Sequence, residues 1–239
     1  MATGPVSVSE AEGVVFIRGA DIKLGPRVPV GGLKASLLAW YKMDETSGDR
    51  ADSTGNYNLT AWSNPGSAAG VIGNCVECTF AGNTILTTAV GKAWDGKLSV
   101  SLWVKRDANP PAQQDFFWIS ESVVDATALL GFSVRAGGLL AVHHGTVIET
   151  APSNIGSWYH VVWTFEGASN KYAYYVNNSL VASGTEAQTN SHSDNQIFLC
   201  HGASRFDGYL DLVGVWKRVL SAQERADLYN AGAGLDYPF

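Results

Sequence analysis

The chain reads as an all-β protein: a two-sheet antiparallel β-sandwich of jelly-roll type, with one short helix near its C-terminal end. Three observations carry that reading. Short runs of alternating apolar and polar residues recur along most of the chain, punctuated by Gly, Asn, Pro and Ser. Of 239 residues, 46% are hydrophobic and 11% aromatic, with 26 glycines and only 16% charged, which suits many turns around one large core. Helix start and stop signals coincide at one place, Ser221 to Tyr229.

The clearest strand lies late, in Phe206 to Leu220. Tyr209, Asp211, Val213 and Val215 fall on one face and Leu210, Leu212, Gly214 and Trp216 on the other. Both faces are apolar, so this strand is expected at the centre of a sheet. Ser221 with Glu224 three residues on has capping-box spacing, so the chain should turn straight into a helix that packs Leu228 and Tyr229 back on the sheet.

Taken in order, residues 1–34 form an N-terminal extended arm and residues 35–239 the sandwich domain. The arm carries Val14-Val15-Phe16-Ile17, broken off from any long strand by Pro5, Pro26, Pro29 and neighbouring glycines. These apolar residues need burial, either along the domain's own edge or on a neighbouring subunit in a homo-oligomer. Short strands are expected at Tyr57 to Trp62, Cys75 to Phe80 and Thr84 to Thr88. Leu98 to Leu102 alternates most regularly, its second face small, polar and partly open. Phe116 to Glu121 follows the Asn109-Pro110-Pro111 loop, and Leu129 to Arg135 pairs with Leu139 to His144 around Ala136-Gly137-Gly138. Thr146 to Thr150 continues the meander. Trp158 to Phe165 and Lys171 to Ser183 come next, the latter turning at Asn177-Asn178, and Gln196 to Cys200 leads into the closing strand.

The closing strand, the "R-x-L-S" corner at Arg218 to Ser221 and the short helix together resemble the last element of the laminin G-like, concanavalin A-like jelly-roll family. The resemblance continues in Leu38 to Gly48 and Asp52 to Gly55, similar to the family's opening strand and its Asp/Gly-rich turn. Leu98 to Lys105, Trp158 to Phe165 and Tyr174 to Val181 match its middle strands, so Leu37 to Tyr229 is covered. Membership implies a fold more firmly than an activity.

Composition narrows function further. Formal net charge is −6 and no run of Lys and Arg exceeds two residues, so nucleic acid is not an expected partner. No apolar run approaches the roughly 20 residues of a membrane span. Met1 to Pro5 lacks the basic and apolar regions of a secretory signal. Cys75, Cys78 and Cys200 are an odd set, expected as buried free thiols; the alternative is one bridge involving Cys200, which would imply an oxidising location.

Glycoside hydrolysis usually needs two carboxylates about 5–9.5 Å apart. Within Leu37 to Tyr229 no two acidic residues stand at i, i+2, and Asp207 and Asp211 on one strand would lie about 13 Å apart. There is no G-x-S-x-G elbow. His143-His144 points its rings to opposite faces, and His160 beside Trp158 and Val162 reads as a core or groove histidine. The chain is therefore expected not to be an enzyme.

Two kinds of site remain. Exposed aromatic rings that stack on sugar faces would make a glycan site, with Trp62, Trp94, Trp118 and Tyr175 as candidates. Asp44 to Gly55 offers Asp44, Asp49 and Asp52 in a turn-rich stretch suited to calcium. The resemblance implies that Asp211 approaches the opening strand, which makes Asp52 and Asp211 the candidate ligands of a structural calcium ion. The alternative is that Asp52 caps an Asx turn while Asp211 bonds backbone amides or a tyrosine. The chain is also similar to laminin G-like proteins among phage structural proteins. That implies a non-enzymatic module on the virion surface, as a head decoration or tail-associated adhesin, with other virion proteins or glycans as partners. A stand-alone lectin is the alternative and a glycoside hydrolase the third reading.

Overall fold

A computed structural model describes residues 10–11, 14–15, 32–79, 81–91, 96–110, 112–120, 130–144, 147–186, 195–200 and 206–239. The chain divides into two compact units, Met1–Val30 and Gly31–Phe239. In the first, β1 (Glu10–Ala11) and β2 (Val14–Val15) form an antiparallel pair. The expected burial of Phe16 and Ile17 lies outside the described residues.

The second unit is the sandwich. Its strands are β3 (Leu37–Tyr41), β4 (Thr60–Ala61), β5 (Gly66–Ala69), β6 (Asn74–Cys78), β7 (Leu86–Gly91), β8 (Lys97–Arg106), β9 (Gln114–Ser120), β10 (Leu130–Arg135), β11 (Leu139–His144), β12 (Val147–Pro152), β13 (Trp158–Glu166), β14 (Lys171–Val176), β15 (Ser179–Thr185), β16 (Asn195–Leu199) and β17 (Gly208–Trp216), followed by helix α1 (Ala222–Tyr229). One sheet has seven strands in the order β12-β11-β10-β9-β16-β7-β4. The other has the order β15-β14-β13-β8-β17-β6-β5, with β3 as an eighth strand paired to β17. Between the sheets lie the apolar side chains of both inner faces, among them Phe117, Phe132, Leu102, Val161, Val213 and Val215.

β17 is central, as its two apolar faces predicted: β8 lies on one side, and on the other β6 pairs along Gly208–Leu210 and β3 along Val213–Trp216. The strand's faces differ from the simple alternation. The register slips between Asp211 and Gly214, and Leu212 takes a positive φ of 47°, so one bulge shifts the phase. Leu210 then joins Val213 and Val215 in the core between the sheets. Leu212 and Trp216 instead point to the outer face, which Tyr209 and Asp211 share through their pairing with Lys105 and Trp103.

That outer face is roofed. Leu33 from the entry turn, Leu228 and Tyr229 from α1, and Leu235, Tyr237 and Phe239 from the tail pack over Trp40, Trp103, Val162, Leu212 and Trp216. The Trp216 indole donates to the Leu33 carbonyl at 2.7 Å. Arg218 pairs bidentately with Glu224 at 2.6 and 2.7 Å and also donates to the Gly32 and Ala35 carbonyls, tying the entry turn to the helix. The capping box at Ser221 and Glu224 forms. Because of this roof, the second face of Leu98 to Leu102 is closed, against expectation. Ser99 is buried, donating to the Arg218 carbonyl and accepting from the Leu220 amide.

The thiols also differ from expectation. Cys78 on β6 and Cys200 beyond β16 form a disulfide, Cα atoms 5.5 Å apart, that joins the two sheets; Cys75 is free and buried. The bridge is the alternative that the sequence left open for Cys200, while Cys75 is the buried free thiol expected; the two bonded residues are 122 apart in sequence, so no local pattern joins them. Closing a loop of that length stabilises by about 5 kcal/mol in the chain-entropy account.

Candidate functional site

The seven-stranded sheet presents a different outer face. Register places Phe198, Trp118, Gly131 and His143 side by side across β16, β9, β10 and β11. Gly131 has no side chain to separate its neighbours: a Cβ there would lie 3.0–3.2 Å from the Trp118 ring atoms. The indole therefore lies over the glycine and stacks on His143, ring centroids 6.2 Å apart at 27°. His143 Nε2 is 2.7 Å from Ser133 Oγ. Burial, with the Arg135 charge second, pushes this imidazole down to about 4, so it is neutral at pH 7. Trp118 and His143 are half-buried, leaving part of both rings open.

Asp115 lies opposite Ser133 across a bulge in the β9–β10 pairing. Burial raises its carboxyl to about 6. Three groups act against that rise: Gln113, which donates at 2.7 Å, the Trp118 indole, which approaches without the geometry of a formed hydrogen bond, and the Arg135 charge. Among the strands of this sheet the acidic residues are Asp115 and Glu149, and Glu149 is opposite the core residue Val142 and accepts from the Tyr172 hydroxyl at 2.8 Å. The site is thus a partly open aromatic ring with a carboxylate, a guanidinium, an amide and a neutral imidazole around it. Such a set can stack on a sugar ring and exchange hydrogen bonds with its hydroxyls.

The four aromatic candidates do not converge. Trp62 is 59% exposed beyond β4, three strands from Trp118 in the same sheet, or about 14 Å at the usual strand spacing. Trp94 lies outside the described residues. Tyr175 sits on the opposite sheet, its ring covered by the Arg225 guanidinium at 3.9 Å, and packs with the roofed cluster. Sequence reasoning missed Ser133, Asp115, Arg135 and Gly131, because only strand register reveals that they surround Trp118.

The carboxylates proposed for calcium are engaged otherwise. Asp52 accepts from the amides of Trp40, Thr54, Asn56 and Tyr57 and from the Thr54 hydroxyl. Asp211 accepts from Val71, Ile72 and Leu212 amides, and burial raises its carboxyl to about 7. The two share no partner: N–H and O–H donors converge on Asp52, and three backbone amides converge on Asp211, which also feels the charge of Asp44. Among the described residues no three His, Cys, Asp or Glu side chains cluster to hold a metal. The structure does not join Asp52 and Asp211 through a shared hydrogen-bond partner.

Among solved structures, the chain is similar to domain 4 of AbnA, a GH43 extracellular arabinanase from Geobacillus stearothermophilus solved with arabinotriose: 18% identity, TM-score 0.63, covering 84% of this chain and 99% of that one. It is similar to Trypanosoma rangeli sialidase at 13% identity and TM-score 0.66, over 84% of this chain and 34% of that one, so it spans about a third of the sialidase. It also resembles the binding domain of botulinum neurotoxin DC, solved with rat synaptotagmin II, at 10% identity and TM-score 0.63, covering 82% of this chain and 51% of that one. Identities this low establish a shared fold alone. No curated protein sequence matches the chain. Residues 80–224, more than half of the chain, match the Laminin_G_3 family, described as the concanavalin A-like lectin/glucanases superfamily. The chain belongs to that family and carries its lectin-like jelly roll.

Proposed function

We propose that this protein is a non-enzymatic glycan-binding module whose ligand face is the outer face of the seven-stranded sheet, with Trp118 as the stacking platform. The observation that carries this reading is the half-open Trp118 ring, seated on Gly131 and backed by His143, with Asp115, Arg135 and Gln113 close by. The likeness over 99% of an arabinanase domain solved with arabinotriose supports a saccharide ligand. A binding role is favoured over hydrolysis because these strands offer the face one carboxylate where glycosidases use two. Ser133 is fully buried against His143, which gives a substrate no access to its hydroxyl. The test is a glycan array with wild type and Trp118→Ala, alongside an assay for sugar release. Binding lost in the variant while the melting temperature falls by no more than a few degrees supports the reading. Binding unaffected by the variant, or turnover of a bound polysaccharide, overturns it.

The module is displayed on a virion, as a head decoration or tail-associated adhesin, with the N-terminal arm, residues 1–34 by sequence and the compact unit Met1–Val30 in the structure, as the attachment device. This rests on the resemblance to phage structural proteins and on the division of the chain into two compact units, Met1–Val30 and Gly31–Phe239. The Cys78–Cys200 bridge favours work in an oxidising, extracellular setting. Deleting residues 1–30 should leave the melting temperature of the sandwich unchanged and abolish incorporation into particles. Unfolding of the truncated chain would reject the attachment role.

A further inference from the structure

The roof over the eight-stranded sheet stops short of one end. There, in a row fixed by register across β13, β8, β17 and β6, stand Trp158, Lys105, Tyr209 and Glu77. All four are half-buried. The Lys105 ammonium sits between two aromatic walls, 4.9 Å from the Trp158 ring centroid and 4.2 Å from that of Tyr209. Among the described residues it has no hydrogen-bond acceptor and no ion pair; it lies against the two rings, and its charge also reaches the buried Cys75 thiol. The Tyr209 hydroxyl is engaged by Asp107, and Tyr209 also feels the charge of Glu77.

We propose that this row is a second ligand site, separate from the Trp118 face, and that it takes a saccharide bearing a single carboxylate, such as a uronic acid residue. The charge pattern selects that class. One ammonium with three open N–H donors between apolar walls suits one carboxylate, because a charge-assisted bond gains strength where rings exclude water. Asp107 and Glu77 both act on the adjacent Tyr209, so the row as a whole carries one positive and two negative charges. A polyanion such as nucleic acid or a multiply sulfated chain is repelled, whereas a uronate brings hydroxyl donors that the flanking carboxylates accept. The C–H faces of the sugar ring meet Trp158 and Tyr209.

The experiment titrates the full chain with a uronate-terminated oligosaccharide, with the same oligosaccharide after reduction of its carboxyl group, and with a short acidic peptide. Amide NMR shifts map the site, and calorimetry measures affinity. Wild type should bind the uronate with shifts centred on residues 105, 158 and 209, and bind the reduced sugar at least about tenfold more weakly. Lys105→Met keeps the aliphatic stem between the rings and should lose the same factor, while Trp118→Ala should bind the uronate as wild type does. Equal binding of the uronate and the reduced sugar overturns the proposal, as do shifts confined to the opposite sheet, or peptide binding as tight as that of the uronate. The wild-type shift map decides the matter even if Lys105→Met fails to fold. Failure of the Trp118 glycan site alone leaves the uronate shifts at residue 105 untouched, so the two readings fail separately.

Discussion

The two outer faces of the sandwich carry nearly the same three side chains. On the eight-stranded sheet, Ser101 Oγ lies 2.7 Å from His160 Nε2, and His160 lies against Trp103 with ring centroids 5.1 Å apart. On the seven-stranded sheet, Ser133 Oγ lies 2.7 Å from His143 Nε2, and His143 stacks on Trp118. What differs is the cover. Tyr229 of α1 stacks on both Trp103 and His160, which remain 3% and 1% exposed, while Trp118 and His143 keep part of their surface open. The same serine, histidine and indole are thus core in one place and a candidate binding face in the other. The residue types do not decide the role; the element packed above them does.

The largest expected effect tests that statement directly. Trp103→Ala should destabilise by about 3–5 kcal/mol in chemical denaturation, because a packed interior cannot fill the space of a lost indole. Trp118→Ala should cost about 1 kcal/mol while abolishing glycan binding. Equal costs for the two would break the comparison.

A smaller contrast is expected from the glycines beneath the indoles. A Cβ at Gly214 would lie 2.4 Å from the Trp216 ring and 2.7 Å from that of Trp40, both buried, so Gly214→Ala should cost about 3 kcal/mol, the upper end for overpacking. At Gly131 the contact is 3.0 Å to one half-open ring, which can tilt outward. Gly131→Ala should cost about 1 kcal/mol or less and show itself mainly as weakened glycan binding.

Acid titration sharpens the comparison in another way. Burial lowers His160 to about 3 and His143 to about 4, below the ordinary 6.5, so each contributes stability that is complete above pH 6.5 and is lost as pH falls toward those values. Asp211, raised to about 7, and Asp115, raised to about 6, act oppositely: their contribution is complete below about pH 3.8 and lost as pH rises through the folded values. Between pH 7 and 4 the terms oppose, so the wild-type melting temperature should vary little. His160→Gln should make the protein gain stability on acidification over that window, and His143→Gln should do so less. Asp211→Asn should make it lose stability. A His143 variant with the larger effect would contradict the difference in burial.

The smallest effect expected is none. A chelator should leave the melting temperature unchanged, because Asp52 and Asp211 already accept from backbone amides. A fall restored by calcium would overturn that assignment.

Much of the fold was legible in the sequence. Alternation located most of the strands, the hairpin turns at Asn177-Asn178 and Ala136-Gly137-Gly138, and the capped helix after Ser221. Errors came where local pattern meets a distant neighbour. The expected strand at Tyr57 to Trp62 shrinks to Thr60–Ala61. Asp52 gathers the amides of the same stretch into a turn, and a strand cannot use those groups twice. Trp118 was legible as a candidate platform because an indole on a strand must be either core or ligand-facing; its companions were not.

What the sequence determined by itself was the class of architecture, the central place of β17 and the position of α1, since each follows from periodicity or spacing within about a dozen residues. What only the tertiary structure decided was pairing and cover. It joined Cys78 to Cys200, turned Asp211 outward through the bulge at Leu212, and set Gly131 beneath Trp118. It also laid Tyr229 over His160 while leaving His143 half-open. The physical reason is that a strand's sequence states which residues share a face but carries no record of which strand lies beside it or what packs above. Those relations arise from the summed burial of the whole core, and they separate a structural tryptophan from one that is available to a ligand.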